Sequence, residues 1–187
     1  MDIENVRRNT KVLFNGIPCN VDDVDFMKPG KGRAVYRLKL RNIRADTINE
    51  VTYHSGDEVE EIEISSMEMQ YLYRDGKNYV FMNSETFEQH AIPEERLGDK
   101  QRFLKEGAVV SVQMMGDEPI TVNIPNFVEL KVVQSTVSTK TDSLVAQNKT
   151  VTLETGATIG VPTFVKEGDI IKVDTRTGIY VERVAKK

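Results

Sequence analysis

The sequence predicts an all-β protein built as three small β-barrels in series, and three observations carry that reading. Turn dipeptides recur at Asn15-Gly16, Pro29-Gly30, Asp75-Gly76, Gly116-Asp117, Gly168-Asp169 and Thr177-Gly178, flanked by short runs rich in Val, Ile, Thr and Tyr. Apart from Val35, apolar and polar residues alternate cleanly over residues 34–41, the period-2 signature of a half-buried strand. Helical pattern is confined to residues 84–102, where Pro93 divides two short segments.

Composition breaks at Ile64-Ser65-Ser66 and at Pro125-Asn126. They divide the chain into segments 1–64, 65–126 and 127–187, each of about sixty residues, the size of one small barrel. In the first segment, Ala34, Tyr36, Leu38 and Leu40 share one face of a strand, and Val35, Arg37, Lys39 and Arg41 share the other. In the second, strands are expected over residues 67–73, 79–82, 109–114 and 120–124. In the third they are expected over 127–133, 170–173 and 179–184, with the polar, aperiodic residues 139–148 forming a loop.

Charge and composition exclude several function classes. Lys and Arg total 25 against 29 Asp and Glu, a net charge of −4, so the chain is no general polycation for nucleic acid or membrane. The single cysteine, Cys19, has no partner for an intramolecular disulfide, no apolar run approaches the roughly 18 residues of a membrane span, and the first residues lack a secretory apolar region. A cytoplasmic protein is expected. With only His54 and His90, neither a zinc site nor a Ser-His-Asp arrangement is expected. The chain lacks GxxxxGK[ST], and Val35 stands where a dinucleotide fingerprint needs its last glycine. No metal, no cofactor and no enzymatic activity are expected.

The most informative stretch is Lys28-Pro29-Gly30-Lys31-Gly32-Arg33, directly before the strongest strand. Proline fixes φ early in a turn, and Gly30 and Gly32 are free to take positive φ, so the stretch is expected to be a hairpin tip presenting Lys31 on slim backbone. Between Phe26 and Arg44 there are seven basic residues and no acidic one. Arg37, Lys39 and Arg41 therefore make a basic stripe suited to a phosphate backbone.

These residues resemble the bacterial elongation factor P family. The resemblance runs through KPGKGRA (28–34) into AVYRLKLRNI (34–43), then YLYRDGKNYVFMNSETFEQ (71–89), PNFVELKVV (125–133) and TLETGATIGVPTFVKEGDIIKVDTRTGIYVERV (152–184). It covers most of the chain in the family's order. It implies an SH3-like (KOW-type) amino-terminal barrel followed by two OB-type barrels.

The resemblance also implies a non-enzymatic translation factor that binds both ribosomal subunits between the P and E sites. There it would position peptidyl-tRNA and relieve stalling at consecutive prolines. Lys31 corresponds to the tip lysine that reaches toward the tRNA CCA end, and to the acceptor of a lysine-modifying enzyme. Lysine there disfavours the family's arginine-glycosylation variant. Arg37, Lys39 and Arg41 would contact tRNA or rRNA. The family's Gly-Asp-Thr loop, which meets the E-site mRNA codon and the small subunit, reads Thr141-Asp142-Ser143 here. Asp142 and a hydroxyl are kept while Thr141 replaces glycine. A monomer is expected. Two other readings are an elongation factor P-like paralogue, against which the lysine tip argues, and a non-ribosomal OB-type RNA-binding protein.

Tyr71, Tyr73, Tyr79 and Phe81 alternate in neighbouring candidate strands and are read as core in preference to a base-stacking face. Cys19 is read as a small buried residue. The acidic run at 57–63 is read as a solvated face, and Asn148-Lys149-Thr150 as a chance glycosylation sequon.

Overall fold

The computed structural model describes residues 1–136 and 148–184. Among these residues the fold is all-β, with three five-stranded sheets and a few short 3-10 turns. By contact, these residues fall into two compact units, one of Met1–Met67 with Val112–Thr121, the other of Glu68–Ser111 with Val122–Lys187.

The first sheet contains β1 (Lys11–Phe14), β2 (Ile17–Met27), β3 (Val35–Asn42), β4 (Ile48–His54) and β5 (Glu60–Glu61), in the order β4-β3-β2-β1-β5. Alternation on β3 behaves as the sequence implies: Leu38 and Leu40 are fully buried, and Arg37, Lys39 and Arg41 face solvent. The core also holds Ile3, Val6, Val12, Cys19, Val21 and Val59. Each fully buried aliphatic side chain contributes about 1.5–3 kcal/mol. The amino terminus is strapped on by three backbone hydrogen bonds, the Met1 ammonium to the Val59 carbonyl at 2.9 Å, the Val59 N–H to the Met1 carbonyl at 2.8 Å and the Ile3 N–H to the Asp57 carbonyl at 3.0 Å. Burial raises the Cys19 thiol above its ordinary value, as suits an inert core residue.

The second sheet contains β6 (Ser65–Asp75), β7 (Asn78–Asn83), β8 (Gln89–Pro93), β9 (Val109–Met115) and β10 (Glu118–Asn123), in the order β10-β9-β6-β7-β8. Tyr71, Tyr79 and Phe81 are buried, as expected of core residues, whereas Tyr73 is exposed. A bulge between Tyr71 and Tyr73 shifts the register there, which turns the second tyrosine outward. Residues 89–93 correct the helical expectation for 84–102. They form a strand because Ile92 pairs with Tyr79 and is buried, and only Glu94–Arg96 and Gly98–Phe103 coil into 3-10 turns.

The third sheet contains β11 (Phe127–Thr136), β12 (Asn148–Leu153), β13 (Thr158–Pro162), β14 (Ile170–Asp174) and β15 (Ile179–Val184), in the order β13-β12-β11-β14-β15. Its core includes Leu130, Val132, Val151, Leu153, Val165, Ile171 and Val173, and it is joined by Phe103 from the second 3-10 turn. The Arg102 guanidinium lies 4.7 Å from the Phe103 ring centroid and roofs Gly178, where an added Cβ would meet Arg102 Nη2 at 2.6 Å.

Candidate nucleic-acid interface

The site is built on the β2–β3 hairpin. The two strands pair from Cys19 opposite Asn42 to Met27 opposite Val35. The chain then leaves the sheet, and Lys28, Pro29, Gly30, Lys31, Gly32 and Arg33 are all exposed. Gly32 takes a φ of 120°, but Gly30 stays outside the left-handed region, so only one of the two glycines uses the freedom expected of both. Among the described residues, Lys28, Lys31, Arg33 and Arg37 have no ion-pair partner. The tip is therefore a cationic loop that satisfies none of its charges internally.

The basic stripe is in place but is not bare. Arg41 Nη2 lies 2.7 Å from Asp22 Oδ2, and Arg41 Nη1 lies 3.6 Å from Asp46. Lys39 Nζ is 3.8 Å from Glu50. Arg37 stands opposite Asp25 on β2 and Thr52 on β4. The Asp22 carboxyl is held below its ordinary range, chiefly by the hydrogen bond from Arg41, and Arg41 is raised in turn by Asp22. An ion pair as exposed as Lys39–Glu50 is worth about 0–1 kcal/mol and, like Arg41's longer contact to Asp46, is readily exchanged for a phosphate. The stripe was legible along β3, but its acids come from β2 and β4, so reading one strand at a time misses them.

Thr141, Asp142 and Ser143 lie outside the described residues. Among the described residues, no cluster of His, Cys, Asp or Glu could hold a metal ion, and no helix is long and apolar enough to cross a membrane. Sequence reasoning also passed over the neck of the hairpin, where Phe26 and Met27 are 53% and 57% exposed. Two large apolar residues ending a strand beside an Arg7-Arg8 doublet would have been the signal.

Three family models match the chain in succession. They are described as the elongation factor P KOW-like domain over residues 2–59, the elongation factor P OB domain over 64–122, and the elongation factor P C-terminal domain over 128–183. A protein named elongation factor P from Desulfatibacillum aliphaticivorans is 43% identical over 181 residues, covering 97% of each chain. Another of that name from Aquifex aeolicus (strain VF5) is 41% identical over 184 residues, covering 98% of this chain and 96% of that one.

Among solved structures, eukaryotic translation initiation factor 5A from Methanococcus jannaschii aligns with a TM-score of 0.50 at 24% identity, over 67% of this chain and 90% of that one. A translation initiation factor eIF-5A family protein from Naegleria fowleri ATCC 30863 aligns with a TM-score of 0.51 at 18% identity, over 66% and 96%. At these identities the structural likeness concerns fold alone.

Proposed function

The chain belongs to the elongation factor P family of translation elongation factors, and from that membership we propose that it binds the ribosome between the P and E sites, positions peptidyl-tRNA and relieves stalling at consecutive prolines. One observation carries the reading: Lys31 stands exposed at the end of a hairpin whose strands stop at Met27 and Val35, on a loop whose cations have no internal partners. Such a loop suits insertion into a narrow RNA-lined cavity. Lys31 reaches toward the CCA end while Arg37, Lys39 and Arg41 follow tRNA or rRNA phosphates.

The mechanism is entropic. Proline is a constrained nucleophile, and holding the peptidyl-tRNA in a reactive pose removes orientational freedom before the bond forms, as in well-oriented intramolecular reactions. Lys31 positions and transfers no proton, and the protein is no enzyme. We assign three modules, 1–64, 65–126 and 127–187, acting as a cytoplasmic monomer. The Thr141-Asp142-Ser143 loop of the third meets the E-site codon and the small subunit. Lys31 is the acceptor for a lysine-modifying enzyme; intact mass and peptide mapping of native protein would place any added mass there, and Lys28 carrying it would contradict the assignment. Reconstituted synthesis of a triproline peptide tests the function. Adding the protein speeds product formation, and an unchanged rate would refute the reading.

A further inference from the structure

The inward face of the β2–β3 hairpin outruns its own core. Val24 pairs with Leu38, which is fully buried. Two residues further out on the same face, Phe26 stands opposite Tyr36 with ring centroids 5.0 Å apart, yet Phe26 is 53% exposed. With Val6 and Val24 these rings floor an open groove of about 620 Å³, rimmed by Arg7, Arg8 and Asp23. The two arginines differ. Arg8 is occupied by Asp23, through Nε at 3.0 Å and Nη2 at 2.7 Å. Arg7 instead donates from Nη1 to the carbonyl oxygens of Glu4 at 2.8 Å and Val6 at 2.9 Å. Those neutral acceptors orient its guanidinium without cancelling its charge.

We propose that this groove holds one unpaired nucleotide of a single RNA strand, its base stacked on Phe26 and its phosphate on Arg7. The proposal rests on the ribosomal reading above and adds a second contact beside the tip. A flat base matches an exposed ring, and a guanidinium already fixed by two carbonyls loses little freedom on pairing with a phosphate. A strand continuing past the groove meets Lys28, Lys31 and Arg33, with no acidic residue between Phe26 and Arg44. A single carboxylate on a peptide would satisfy Arg7 and leave those three cations uncompensated, so a polyanion is the better fit.

The test titrates the full chain, by NMR at several salt concentrations, with tetra-adenylate and with an abasic strand of equal length. Tetra-adenylate is expected to shift Phe26, Tyr36 and Arg7, and the abasic strand to bind about tenfold more weakly. Phe26→Ala and Phe26→Leu both lower affinity about tenfold while melting near the wild type, since the ring is half exposed. Arg7→Gln reduces the slope of log K against log salt by about 0.7, the loss of one single-strand phosphate contact.

Equal binding of the two strands, wild-type affinity in Phe26→Leu, or no shift at Phe26 and Tyr36 with millimolar strand each overturns the proposal. So does a footprint produced by an acidic peptide and not by tetra-adenylate. Failure of the groove is separable from failure of the function. If Lys31→Ala abolishes triproline rescue while Phe26→Ala binds RNA normally, only the groove is wrong. If the wild-type protein leaves triproline synthesis unchanged, the ribosomal reading falls and the groove with it.

Discussion

Gly30 and Gly32 flank Lys31 in different backbone regions. Gly32 sits at a φ of 120°, whereas Gly30 lies outside the left-handed range and a Cβ built on it meets nothing within 4 Å. A side chain at Gly32 is strained by roughly 1–3 kcal/mol, and one at Gly30 is not. Gly30→Ala is therefore expected to leave stability unchanged or raise it by about 0.4–1 kcal/mol through the unfolded chain, and Gly32→Ala to lower it. Urea titration of both variants checks the order, and equal destabilisation would contradict it.

Phe103 is a linchpin of the third core although it arrives from a 3-10 turn ahead of that sheet. It is 1% exposed among Leu130, Val132, Leu153 and Ile171. Phe103→Ala should cost about 3–5 kcal/mol, the usual loss for a buried phenylalanine. Phe87, 69% exposed, serves as the control and should change stability by about 0.5 kcal/mol or less on truncation. Chemical denaturation of the two variants distinguishes them.

Arg176 grips Asp174 through Nε at 3.0 Å and Nη2 at 2.7 Å. That hydrogen bonding, first of its causes, brings the Asp174 carboxyl from 3.8 down to about 2. Because the folded value is the lower one, the native state stays ionised where the unfolded chain takes up a proton. The contribution is complete above the unfolded value and disappears as pH falls toward 2. Asp22 and Asp23 shift the same way, through Arg41 and Arg8. Stability should decline between about pH 4 and 2, and Arg176→Gln should flatten that acid limb by lowering stability at neutral pH while leaving it unchanged near pH 2, a modest loss because Arg176 is itself exposed. Carbon NMR titration of the Asp174 carboxyl checks it; a midpoint near 3.8 would be the contrary result.

How much was legible beforehand depended on whether the signal lay along the chain or across it. On β3, period-2 alternation marks Leu38 and Leu40 as core and Arg37, Lys39 and Arg41 as surface, and the structure agrees. Glycine and proline around Lys31 mark the tip for the same local reason. β2 is hidden, because Asp22, Asp23 and Asp25 interrupt its apolar pattern and a bulge between Val21 and Asp23 breaks the period. The strand Gln89–Pro93 is hidden too, since its place is decided by pairing with β7. The acids facing the basic stripe and the arrival of Phe103 in the third core are tertiary facts, set by neighbours distant in sequence.

On the function proposed above, Lys31, delivered by the hairpin, accelerates peptide-bond formation at prolines. Reconstituted translation of a triproline peptide with wild-type protein and with Lys31→Ala, both purified and shown to melt alike, measures it directly. Rescue by the wild type and its loss in Lys31→Ala is the expected result. Equal rescue by both proteins would contradict the account.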